Sequence, residues 1–203
     1  MEIIESNRLK ICGQVLNAPT LSHSIYGEDF YVFFVQVPRL SGNADVLPAV
    51  ASCRLLATTP VEVGQYISIE GQLRSYNKMQ DGASRLEIRV FVRELTVLER
   101  EESQNQIYLL GFICKMPTYR VTPFGREITD MLLAINRSYN KSDYIPAIAW
   151  GRNARYAKTL EVGQKLSLTG RVQSREYEKI LPNGTKIDRV AYEVSIASLQ
   201  IEE

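Results

Sequence analysis

Placed over one another at an offset of 98, residues 13–52 and 111–150 of this chain agree without a gap where a polypeptide turns and packs. Gly13 meets Gly111, Pro19 meets Pro117, Gly27 meets Gly125 and Arg39 meets Arg137. Asp45 meets Asp143, Pro48 meets Pro146 and Ala51 meets Ala149. One inserted residue later the register resumes at 99, joining Glu62 to Glu161, Gly64 to Gly163, Gly71 to Gly170 and Ser75 to Ser174. A period this long is too large for a solenoid unit and fits a duplicated domain. Two domains, 1–98 and 105–203, are therefore expected in the 203 residues, joined by the polar linker Glu99-Arg100-Glu101-Glu102-Ser103-Gln104. Domains of that size bury enough apolar surface to fold without disulfides or metal. Duplication also supplies a control: what the fold needs recurs in both copies, and what does a job can stand in one.

Each copy alternates apolar and polar residues at period two between turn signals, the pattern of half-buried strands. In copy two the reading is a strand Ile107–Lys115 ending at Pro117, a loop to Phe124-Gly125, and strands Arg126–Arg137 and Asp143–Trp150. A short helix follows over Asn153–Leu160, with Asn153 as N-cap, Ala154, Ala157 and Leu160 on one face, and Gly163 beyond its end. Then come a strand Lys165–Ser174, a hairpin tipped by Pro182-Asn183-Gly184, and a strand Asp188–Gln200. Copy one runs in parallel through Arg8–Val15, Glu28–Val37, Val46–Cys53, a helical stretch near Pro60, Gln65–Ser75 and Leu86–Val97. Three strands, a helix and two strands is the order of the oligonucleotide-binding (OB) fold. The fold class expected is all-β with short helices: two tandem OB folds, each a five-stranded Greek-key barrel.

Catalysis finds little support. The single histidine, His23, falls in a loop of copy one and reads as exposed and incidental. No phosphate-cradling glycine loop, metal-ligand spacing or GxSxG stands in the chain. Cys12, Cys53 and Cys114 stand singly in apolar stretches and read as buried reduced thiols. The expectation is a non-enzyme with no metal and no cofactor. With no charged-then-apolar leader and no apolar run of membrane length, it is also expected to be cytoplasmic. The net charge of +1 conceals a division: residues 1–103 carry 10 Lys+Arg against 13 Asp+Glu, and residues 104–203 carry 14 against 10. A polyanion should prefer the second half.

Copy two also sets aromatics beside basic residues. Its strings DYIPAIAWGRNA (143–154) and GRVQSREY (170–177), with NQIYLLGFICKMPTYRVTPFGREITDMLLAINRSY (105–139) upstream, resemble the bacterial single-stranded DNA-binding proteins. The resemblance covers essentially all of 105–203, and copy one shares it only as a skeleton. It implies that the base-stacking aromatics fall on Tyr144, Trp150 and Tyr177, and on Tyr139 in the 137–143 loop. Every base has a π-face, so such platforms hold single strands with little sequence preference, each stacked base contributing about 1–3 kcal/mol. Arg120, Arg137, Lys141, Arg152, Arg171, Arg175 and Lys179 are the neighbouring cations that would track phosphates, in a salt-dependent way. Against this, Arg152 and Arg155 also read as solvated or ion-paired helix residues, and Tyr192 reads as packing.

The internal control separates the copies. Where copy two has Tyr139, Tyr144, Trp150 and Tyr177, copy one has Ser41, Val46, Ser52 and Lys78. Copy two is thus the expected binder, although Tyr26, Phe30, Tyr31, Phe33, Tyr66 and Tyr76 give copy one rings elsewhere. The resemblance further implies four-OB assemblies, hence a homodimer, and roles in DNA replication, repair and recombination. It implies partners drawn from that machinery, usually recruited by an acidic tail, whereas this sequence ends at Gln200-Ile201-Glu202-Glu203 just after the last strand. The competing reading is an OB-fold protein–protein interaction module of a replication, conjugation or recombination complex, binding nucleic acid weakly.

Overall fold

The computed structural model describes residues 6–80, 83–181 and 183–202. Copy one contributes β1 (Asn7–Val15), β2 (Thr20–Ile25), β3 (Glu28–Pro38), β4 (Ala44–Ser52), helix α1 (Cys53–Thr58), β5 (Tyr66–Gln80) and β6 (Ala83–Leu98). Copy two contributes β7 (Gln104–Val121), β8 (Glu127–Arg137), β9 (Lys141–Trp150), helix α2 (Arg152–Ala157), β10 (Lys165–Ile180) and β11 (Lys186–Ile201). The single strand β7 of copy two corresponds to β1 and β2 of copy one, so both copies hold the same five-stranded path. In each, the first strand pairs with the fourth, the last two form a long hairpin, and a parallel contact closes the barrel. That contact joins Ala49 to Val90 in copy one and Ala147 to Val194 in copy two. The architecture is two OB folds in tandem.

Alternation produces the core directly. Phe33, Val35 and Val37 of β3 and Leu47, Ala49 and Ala51 of β4 point inward and are fully buried. Ile113, Leu133, Ile135, Ile145 and Ala149 do the same in copy two. The buried side chains form one cluster that includes residues of both copies. Strands β1 and β7 also pair antiparallel, and there Leu9 lies opposite Ile107, its own equivalent in the repeat. The copies therefore face each other about a local two-fold, as two subunits do across an isologous interface.

The repeated glycines have mechanical reasons. Gly71 and Gly170 each sit at a register shift in the β5–β6 and β10–β11 ladders. A Cβ there would overlap the backbone carbonyl oxygen of Phe91 or Ser195. Gly64 and Gly163 adopt φ of +89° and +94°, in the left-handed region that side chains avoid.

Several expectations need correction. Strand β7 does not stop at Pro117; it runs on to Val121. Register shifts at 113/115 and 115/118 leave Pro117 at a bulge, where no ladder N–H is required. The capping position of α2 is held by Gly151, and the Asn153 amide instead donates to the Ala197 carbonyl at 3.0 Å. Ala154, Ala157 and Leu160 are buried as expected. Only Cys12 is buried; Cys53 and Cys114 are half-buried free thiols. The expected Pro182-Asn183-Gly184 tip includes Pro182, which lies outside the described residues, and beside it Gly184 N–H donates to the Leu181 carbonyl at 2.9 Å. Among the described residues, no helix is long and apolar enough to cross a membrane.

Candidate nucleic-acid interface

Strand β9 carries the first two platform residues. Its inward positions Asp143, Ile145, Ala147 and Ala149 are buried, so period two turns Tyr144 and Trp150 to the outer face. Opposite them on β8 stand Ala134 and Ile128. Tyr144, within β9, and Trp150, at its end, keep 42% and 37% of their surface exposed. Tyr139 is 94% exposed in the turn between β8 and β9, and both Tyr139 and Asn140 take left-handed φ there, at 62° and 52°. A tyrosine costs about 1–2 kcal/mol in that conformation.

The long hairpins explain where Tyr177 goes. Each extends past the strand ends read from the sequence and leans on the other copy: β10 packs on β4, and β5 packs on β9. Tyr177, Lys179, Arg189 and Tyr192 line one groove of about 600 Å³ with Phe34 and Arg89 of copy one. Tyr177 is thus brought to copy one, with the Arg175 guanidinium 5.6 Å from its ring centre. Tyr192 is partly buried against the core, in keeping with a packing role, and burial pushes its phenol above the ordinary range.

The cations divide by partner. Arg120 donates to Asp130 at 2.8 Å, Arg137 to Asp143 at 3.3 Å, Arg171 to Asp45 at 3.3 Å and Arg175 to Glu193 at 3.4 Å. Arg155 pairs with Glu127. Lys141, Arg152 and Lys179 are exposed and make no ion pair among the described residues.

Two of those pairs belong to locks between the copies. Buried Asp45 takes both arms of Arg39, a third donor from Arg171, and the Ser174 N–H at 2.7 Å, while Ser174 Oγ accepts from Val46 N–H. The mirror lock has Arg137 and Ser75 N–H on Asp143, and Tyr144 N–H on Ser75 Oγ at 2.7 Å. Copy one's hairpin thereby fixes the backbone beneath the Tyr144 ring. Asn7 and Asn105 complete the pattern: each side-chain amide closes a pair of hydrogen bonds onto the backbone of Leu73 or Val172.

Copy one's outer face carries rings that position-by-position comparison missed, because they come from other strands. His23 is half-buried rather than exposed and incidental, stacked on Phe30 at 5.1 Å with planes 8° apart. Phe30 reaches Phe91 at 6.1 Å, and His23 reaches Tyr76 at 6.4 Å. Arg74 lies 4.3 Å over Phe91 and Arg89 lies 5.9 Å over Tyr76. Tyr26 and Phe124, equivalent residues beside turn glycines, are almost fully exposed. Their signal in the sequence was an aromatic kept before the same Gly in both copies.

Residues 104–201 match the Single-strand binding protein family. The single-stranded DNA-binding protein B of Bacillus subtilis is 32% identical over 81 residues, which are 36% of this chain and 72% of that protein. The chain belongs to the single-strand binding protein family. The single-stranded DNA-binding protein of Clostridium tetani is 33% identical over 81 residues, 36% of this chain and 56% of that protein. This family member thus spans about half the length of several relatives it matches. The crystal structure of the single-stranded DNA binding protein from Thermus aquaticus aligns with a TM-score of 0.74 at 22% identity, over 97% of this chain and 93% of that one. At that identity the likeness is one of fold, and it extends over both copies.

Proposed function

We propose that this family member binds single-stranded DNA without strong sequence preference and without catalysis. Bases stack on Trp150 and Tyr144, with Tyr139 and Tyr177 as further platforms, and Lys and Arg side chains hold the phosphates. One observation carries the reading. In the copy that matches the family, two large rings stand open on the outer face of a strand whose inner face is sealed in the core. A rigid strand holds such rings at little entropic cost, and flat π-faces accept any base. Among the predicted cations, Lys141, Arg152 and Lys179 are the ones poised to meet phosphate directly. Arg120, Arg137, Arg171 and Arg175 would have to share their carboxylates with it.

In this reading the chain acts as two domains, 1–98 and 105–203, in a cytoplasmic homodimer that brings four OB folds to a strand. Its partners are drawn from replication and repair. The test is a titration of the single tryptophan, Trp150, with oligo(dT). Quenching that weakens as salt rises is expected; absence of both quenching and a gel shift at low salt rejects the reading.

A further inference from the structure

Strand β10 is set in register on copy one by the Ser174 lock, in which Ser174 N–H donates to Asp45 at 2.7 Å and Val46 N–H donates to Ser174 Oγ at 3.0 Å. Beyond the lock, β10 continues to Tyr177 and β4 continues to Pro48, which pairs with Phe34 of β3. Phe34, Pro48 and Tyr177 line the same groove of about 600 Å³ between the copies. Phe34 is as open as Trp150, at 37%, although its neighbours Phe33 and Val35 are fully buried. Its backbone is held from both sides: the Phe34 N–H donates to Asn17 Oδ1 at 2.8 Å, and its carbonyl accepts from Leu16 N–H at 2.9 Å. An outward ring on so fixed a segment loses little freedom when a second ring is laid on it.

Cationic groups stand beside these rings. Tyr177 lies directly opposite Arg189 in the β10–β11 ladder, and direct cross-strand partners share a face. Arg189 lines the groove with its Nε buried and without a hydrogen-bond partner among the described residues. Lys179 lines it as well, and neither Arg189 nor Lys179 forms an ion pair among the described residues. Glu87, the acidic residue of the lining, is already engaged by Lys78 at 3.4 Å and by Arg89 at 2.8 Å.

The repeat shows that the fold does not require these rings. Its register places Leu132 where copy one has Phe34, and Lys78 where copy two has Tyr177. Leu132 pairs with Pro146 as Phe34 pairs with Pro48, yet Leu132 is half-buried and Lys78 is bound to Glu87. An apolar residue therefore suffices on the strand, and a charged one on the hairpin.

We propose that this groove carries a single strand from copy two onto copy one, with Phe34 as a base-stacking platform beside Tyr177 and Arg189 as a phosphate contact. The ligand class follows from the groups that meet there. Open rings on an apolar floor accept bases, and a guanidinium with an unmet donor accepts a phosphate oxygen. The groove is also continuous with Tyr177 and Lys179, which belong to the face proposed above. Copy one thus takes part in binding through a ring that its counterpart in copy two lacks.

The proposal rests on the single-strand reading above, and the test separates the two. Full-length protein is titrated through Trp150 fluorescence with oligo(dT) of ~8 nucleotides, within reach of one OB face, and of ~35. Phe34→Leu, which installs the residue copy two uses, and Arg189→Gln are each expected to weaken the long oligonucleotide roughly 5- to 20-fold and leave the short one unchanged. Arg189→Gln is also expected to lower the salt slope by about 0.7, whereas Arg189→Lys keeps the charge and the wild-type slope. In the wild type, the long oligonucleotide carrying 4-thiothymine is expected to photocrosslink to Phe34. Wild-type affinity for the long strand in either Phe34→Leu or Arg189→Gln, or crosslinks confined to β9 and α2, overturns the groove site while the single-strand reading stands. An equal loss for short and long strands also overturns it, since the effect would then lie on the Trp150 face. If neither oligonucleotide binds any form of the protein, both readings fall.

Discussion

The carboxylate of Asp45 in copy one accepts a hydrogen bond from the backbone N–H of Ser174 in copy two, 129 residues away along the chain and 2.7 Å away in space. The equivalent bond, from Ser75 N–H to Asp143, measures 2.9 Å. The polar residues that recur in the repeat thus hold the copies together, each carboxylate receiving the arm of the other copy.

The two locks differ in occupancy, so they should differ in energy. Asp45 has Arg39, Arg171 and Ser174 as partners, and its removal strands two guanidinium groups near the seam. Asp45→Ala is expected to cost about 3–5 kcal/mol in urea unfolding. Asp143→Ala is expected to cost less, because among the described residues Asp143 Oδ2 has no hydrogen-bond partner, and the substitution strands one guanidinium, that of Arg137, along with the Ser75 N–H. A larger loss for Asp143→Ala would show that the partners seen here do not set the energies.

Close backbone approach predicts intolerance at two glycines. Gly71→Ala and Gly170→Ala drive a methyl group onto the carbonyl oxygens of Phe91 and Ser195. Each is expected to lower stability by about 1–3 kcal/mol, the usual penalty of overpacking. Thermal unfolding of the two variants measures it, and wild-type midpoints would mean that the ladder yields at the bulge.

Alkaline pH should destabilise the fold through buried phenols. Burial pushes Tyr76 above the ordinary tyrosine value, with Arg74 offsetting only part of the shift, and burial followed by Glu87 does so for Tyr192. A folded pKa above the unfolded one gives stability that is complete below pH ~10 and lost as pH rises through the folded value. Urea unfolding at pH 9 and pH 11 should show that loss. Tyr76→Phe should reduce it; an identical decline in the variant would place the titration elsewhere.

On the binding face, Tyr144→Ala and Trp150→Ala should each weaken oligo(dT) by about 1–3 kcal/mol. Gel shifts report both variants, since Trp150→Ala removes the fluorophore. Lys78→Ala, at the copy-one position equivalent to Tyr177, should have a much smaller effect, as Lys78 is paired with Glu87 at 3.4 Å. Equal losses from Tyr144→Ala and Lys78→Ala would contradict a stacking platform on β9.

Much of the fold was legible in local patterns. Period two in Phe33, Val35, Val37 and in Ile145, Ala147, Ala149 makes the inward faces, and Ala154, Ala157 and Leu160 mark the buried side of α2. The same alternation turns Tyr144 and Trp150 outward. Strand ends were less legible, because Pro117 reads as a terminator unless a bulge absorbs it, and a bulge is a property of two strands. The role of His23 was hidden for a similar reason: its stacking partner Phe30 lies across a hairpin.

The sequence by itself determined the duplication, the five-strand order of each copy and which residues of each strand face inward, because all three follow from spacing along one chain. Tertiary structure alone decided how the copies meet. Pairing of Leu9 with Ile107 and the reach of the two hairpins bring together residues that lie far apart in the chain. That juxtaposition turns Arg39, Asp45 and Ser174 into a lock, carries Tyr177 to copy one, and gathers Arg74 and Arg93 with Arg137 and Lys141. No periodicity encodes such meetings, since they depend on the path of two closed barrels rather than on the neighbours of any residue.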